Sequence, residues 1–125
     1  MKARTFRKKS DRIKDFAARK AEIYSMLGRK TEERIVKLLE KKLEESALHS
    51  FEYNKPLSKN DLAGEDFTVR KKNGNDVSVR HFGVTISGRS LRNHNTLHPG
   101  VPCILITFEM RDERIWERIE ELFKN

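Results

Sequence analysis

One cysteine, Cys103, stands among the 125 residues, so the chain cannot close an internal disulfide. Nor does it have a long apolar run. The longest, Val101 to Phe108, is interrupted by Pro102 and falls far short of the roughly 20 residues needed to cross a bilayer. The N-terminus is basic but has no apolar core of the kind a secretory signal carries. Apolar residues are scarce as well, 36% against 37% charged, which predicts a small core under a heavily solvated surface. These absences exclude a disulfide scaffold and a membrane-spanning helix, and lead us to expect a soluble, cytoplasmic protein. A domain of this length buries roughly two-thirds of its unfolded surface and needs no disulfide or metal staple.

What the chain does have is charge, unevenly placed. Lys and Arg number 27 against 19 Asp and Glu, a net charge of +8. Residues 1–30 hold 11 basic and 3 acidic side chains, whereas residues 31–125 hold 16 of each. The chain therefore divides into a basic arm with an amphipathic helix, residues 1–30, and a neutral body, residues 31–125. A net charge confined to one end points to a polyanionic partner, because Lys and Arg release condensed counterions on meeting phosphates. Lys2, Arg4, Arg7, Lys8 and Lys9 lead the candidates, joined by Arg12, Arg29 and Lys30. The competing reading is a helix face that is charged only to stay solvated. A membrane surface fits less well, since Asp11, Asp15 and Glu22 break the basic face and no Trp anchors it.

Periodicity gives the order of elements. Ser10 reads as the N-cap of a helix carrying Ile13, Phe16, Ala17 and Leu27, with Gly28 as its stop. Thr31 reads as the cap of a second helix, with Ile35, Leu38, Leu39 and Leu43 on one side, running to about Leu48. A short strand follows at Phe51 to Asn54, then a polar loop to Glu65. Phe67 and Val69 alternate with polar residues, and Asn73-Gly74 marks a hairpin. Val77, Val79 and Phe82 to Ile86 supply a central return strand. Placing Val69 on one face with Val77 or Val79 requires a three-residue loop or a bulge. A helix from about Arg89 to His98, a strand from Pro102 to Phe108 buried on both faces, and an amphipathic helix from Arg111 to Phe123 complete the chain. After the first helix the order is αβββαβα, an α/β fold around a mixed sheet.

This order is that of the PD-(D/E)xK nuclease superfamily, and three segments agree locally. Gly28-Arg29-Lys30-Thr31-Glu32 resembles the opening helix of archaeal Holliday junction resolvases, Leu62-Ala63-Gly64-Glu65-Asp66-Phe67 their strand start, and Gly100-Val101-Pro102-Cys103-Ile104 their later apolar strand. The resemblance implies a restriction-endonuclease-like core, a DNA substrate ahead of RNA, and Mg²⁺ or Mn²⁺ held by Glu32 and Asp66. It also implies that Arg89 and Arg92 lie beside the nucleic acid. The family's third acid and its lysine fall on Gly83-Val84-Thr85. Glycine offers no oxygen and threonine no charge, so a nucleic-acid-binding protein with a vestigial catalytic site is the expected outcome.

Other residues have competing readings. Glu32 suits any first helical turn. His81 is an ordinary strand histidine or, across the hairpin from Asp66, a substitute ligand or base. His94 and His98 stand at a metal-compatible i, i+4 spacing but read as surface residues. Cys103 reads as a core thiol. Two alternatives therefore stand beside the binding protein. One is an active endonuclease whose site has migrated to His81, Glu65 or a nearby Lys; the other is an interaction protein, such as a homodimer, pairing through the N-terminal helix.

Overall fold

The structure, a computed structural model, describes residues 9–54 and 64–124. A single helix, α1 (Lys9–Glu44), runs unbroken for 36 residues, or about 54 Å at 1.5 Å per residue. The expected stop at Gly28 and restart at Thr31 are thus corrected, and position 30 falls inside the helix. Thr31 does not cap. Its hydroxyl donates to the Leu27 carbonyl at 2.9 Å, one turn back, a bond that satisfies the side chain within a continuing helix. Gly28 costs such a helix about 1 kcal/mol relative to Ala, a penalty the buried anchors Ile35, Leu38 and Leu39 outweigh. The helix ends before the expected Leu48, where Ser46 turns left-handed with φ 62°. There the Ala47 and Ser46 amides donate to the Lys42 and Leu43 carbonyls at 2.8 and 3.1 Å, the pattern of a Schellman cap.

Four strands follow: β1 (Ser50–Tyr53), β2 (Phe67–Asn73), β3 (Asp76–Thr85) and β4 (Cys103–Leu105). They form one sheet in the order β1-β2-β3-β4. The first three are antiparallel, while β3 and β4 are parallel, so β3 is internal, as expected. Asn73 pairs with Asp76, which leaves a two-residue turn, and Gly74 takes the positive φ of 63° that this turn needs. The turn decides the register. Val69 pairs with Arg80, so Val77 and Val79 fall on the opposite face, 43% and 39% exposed. The three-residue loop or bulge is therefore ruled out, because a period of two leaves no other outcome for that turn.

One sheet face carries Phe67, Val69, Phe82, Ile104 and Ile106, buried against Ile35, Leu38 and Leu39 of α1. The same core takes Ile115, Trp116 and Ile119 of the closing helix α3 (Asp112–Glu121), as their spacing predicts. Arg34 ties the two helices, pairing with Asp112 at 2.8 Å and donating to the Met110 carbonyl. The other face receives α2 (Gly88–Leu97), started by Ser87, whose Oγ accepts the Ser90 amide at 3.1 Å. The last strand is shorter than its apolar run. Cys103 and Leu105 are half-buried and Phe108 lies beyond it in solvent, because β4 is an edge strand with one neighbour. Among the described residues the order is αβββαβα, a mixed α/β fold with three helices.

Candidate functional site

Asp66 stands immediately before β2, and its Oδ2 accepts the Val84 amide of β3 at 2.8 Å. Its carbonyl accepts the Asn54 amide at 2.9 Å. The carboxylate thus ties the start of β2 to the C-terminal end of β3. Cys103 is the parallel partner of Gly83. Burial first, and the Asp66 charge second, push its thiol up to about 11. A thiol held protonated in this way is a poor nucleophile, but Cys103 is half-buried on an edge strand and not the core thiol its apolar run predicts.

Gly83 marks the decisive departure. A Cβ there would lie 2.8 Å from the Gly64 carbonyl oxygen, 2.8 Å from Cε1 of His94 and 3.2 Å from its Nδ1. His94 is fixed by the bond between its Nε2 and the Val101 carbonyl at 2.9 Å. A carbonyl only accepts, so Nε2 carries the proton. His98 packs beside it, its ring tilted by 57° with centroids 5.2 Å apart, and crowds Gly64, whose φ of 84° itself demands glycine. Reading His94 and His98 as surface residues is therefore corrected: both are half-buried against Gly64 and Gly83. The spacing of the two histidines was visible in the sequence, but their contact with two glycines far away in the chain was not.

At the C-terminal end of β3 a groove of about 450 Å³ opens between α1 and α2. Gly28, Glu32, Thr85, Ser87, Arg89 and Ser90 are among its walls. Glu32 accepts a hydrogen bond from the Tyr53 hydroxyl, and the Ser87 amide donates to the Thr85 hydroxyl at 3.4 Å. Arg29 and Lys30 on α1, and Arg89 and Arg92 on α2, are exposed. The structure thus brings Glu32, Thr85 and Arg89 to one groove, with Asp66 anchored on the strand that floors it. Lys2, Arg4, Arg7 and Lys8 lie outside the described residues, as do the side chains of Lys9 and Arg12.

His81 is corrected in its partner. The register pairs it with Thr68 rather than Asp66. Its Nδ1 lies 2.8 Å from the Thr68 hydroxyl and 3.5 Å from Glu65 Oε2. Buried Asn54 completes the network, its Nδ2 donating to the Glu65 carbonyl at 2.7 Å and to Thr68 at 3.3 Å. Asn54 and Thr68 carried no functional signal in the sequence beyond being polar at strand positions.

The donor set does not fit Mg²⁺, which takes near-octahedral oxygen coordination through carboxylates and waters. Gly83 has neither an oxygen-bearing side chain nor space for one. Among the described residues no group of three His, Cys, Asp or Glu side chains could hold a metal ion. Comparison with protein-family models, curated proteins and solved structures finds no match. Among the described residues no helix is long and apolar enough to cross a membrane.

Proposed function

We propose that the chain binds nucleic acid, DNA ahead of RNA, on a restriction-endonuclease-like core of the PD-(D/E)xK type whose catalytic centre is closed. The observation that carries this reading is the contact of His94 and Gly64 with Gly83. It leaves no room for a side chain at the position the resemblance gives the third acid, and the αβββαβ order with Asp66 directly before β2 supports the reading. Binding is electrostatic. The net charge of +8 resides in residues 1–30, Arg89 lines the groove, and Arg29, Lys30 and Arg92 are exposed on the two helices that flank it. Each phosphate neutralised releases condensed counterions, so affinity falls steeply with salt. A cytoplasmic location belongs to the same reading.

The test is a titration of fluorescent duplex DNA with the full chain across salt concentrations. The reading predicts a linear log–log dependence with a slope of several units, about 0.9 per phosphate contact. No binding at low salt would refute it. If binding comes with Mg²⁺- or Mn²⁺-dependent cutting, the migrated site at His81 and Glu65 takes its place.

A further inference from the structure

Phe108 is 97% exposed, more than any other large apolar side chain among the described residues. Its backbone is nevertheless fixed. The Met110 amide donates to the Thr107 carbonyl at 3.1 Å, closing a turn around Phe108. Arg34 of α1 then holds the chain just after that turn, donating to the Met110 carbonyl and pairing with Asp112 at 2.8 Å.

The turn also has a defined place. Because β3 and β4 are parallel, with Thr85 opposite Leu105, the segments that follow them leave the sheet at the same end. Ser87 and Arg89 after β3 line the groove, and Phe108 follows β4. On α1, Gly28 and Glu32 line the groove, and Arg34 lies two residues beyond Glu32. Phe108 therefore follows the edge strand that leaves the sheet at the same end as the groove.

Resting on the nucleic-acid reading above, we propose that Phe108 is a stacking platform for an unpaired base. The chain would then favour nucleic acid with single-stranded segments over unbroken duplex. An exposed ring on a fixed turn offers a flat apolar face with little conformational entropy to lose. Glu109 beside it disfavours a phosphate at the tip, so the tip suits a base and not the backbone. Bases within an unbroken duplex have no free face, whereas every unpaired base has one. The exposed arginines Arg89 and Arg92 would hold the backbone nearby.

The experiment measures anisotropy of three labelled DNAs with the full-length protein: a single strand, a duplex with a single-stranded overhang, and a blunt duplex. Phe108→Ala should weaken the first two by about 5- to 150-fold, the range of one lost base stack, and leave the blunt duplex unchanged. Phe108→Trp should keep the affinity and show indole quenching on binding, while Phe108→Leu should lose affinity like Ala. Melting temperatures should be equal, since the side chain buries almost nothing. Three results would overturn the proposal: unchanged single-strand affinity in Phe108→Ala, an equal loss on the blunt duplex, or a change in the free protein's sedimentation, which would mean the ring covers a second copy. A wild-type chain that binds none of the three DNAs overturns the nucleic-acid reading itself, and this inference with it.

Discussion

The imidazole of His94 occupies the space into which a side chain at Gly83 would project, with Cε1 2.8 Å from an ideal Cβ. One residue comes from a helix and the other from the strand beneath it. The contact is available only to glycine, and it explains why the strand can carry no carboxylate there. Gly83→Ala should destabilise the protein by about 1–3 kcal/mol, the usual cost of overpacking. Combining it with His94→Ala should recover part of that loss, a coupling of about 0.5–3 kcal/mol in urea melts. Additive losses would show that the two residues do not compete for space. By the same argument, Gly83→Glu with Thr85→Lys should not restore cutting while His94 is present.

Asp66 and Cys103 give a pH prediction. The thiol's pKa is pushed up to about 11, by burial and then by the Asp66 charge. At pH 8 only about one thiol in a thousand is ionised, so reaction with a disulfide reagent should be slow and should accelerate toward pH 11. Removing the charge with Asp66→Asn should move that acceleration to lower pH, though burial keeps the thiol above its ordinary value. The folded thiol binds its proton more tightly than the unfolded one. Its contribution to stability is therefore complete below about pH 9 and lost as pH rises toward 11. Cys103→Ser should remove that part of the alkaline decline in thermal melts.

The basic arm sets the salt dependence. Deleting residues 1–9 removes Lys2, Arg4, Arg7, Lys8 and Lys9. If each meets a duplex phosphate, the slope of log K against log salt should fall by about 4 to 5 units. An unchanged slope would leave the arm without a role in binding.

Gly28 tests the continuous helix. A Cβ there meets nothing within 4 Å, and the backbone is not left-handed. Gly28→Ala should therefore stabilise the protein, by up to about 1 kcal/mol. Destabilisation would mean that Gly28 ends a helix, as its position before Thr31 first implied.

Much of this architecture was legible because period and turn chemistry act locally. Ile115, Trp116 and Ile119 mark the buried stripe of α3, and Asn73-Gly74 marks the hairpin. Gly28 misled, because a glycine that stops one helix can sit inside another, and the outcome depends on distant packing at Ile35 and Leu39. Val77 and Val79 misled because apolar residues were assigned to the core face, whereas the two-residue turn sends them to the other. At the site, Asp66 was legible from its place before an alternating strand. The Gly83–His94 contact and the Glu65–Thr68–His81 network were not, since both depend on which parts of the chain the fold brings together.

The central claim is binding without metal-dependent cutting, and one gel-based measurement tests it directly. Labelled duplex, branched and single-stranded DNA would be incubated with saturating full-length protein in Mg²⁺ and in Mn²⁺. Each sample would be run native to read binding and denaturing to read strand integrity. The expected result is a salt-sensitive shift with every strand intact. Rapid Mg²⁺-dependent cutting that disappears with Asp66→Ala would contradict the account and show that an active site has been rebuilt around that carboxylate.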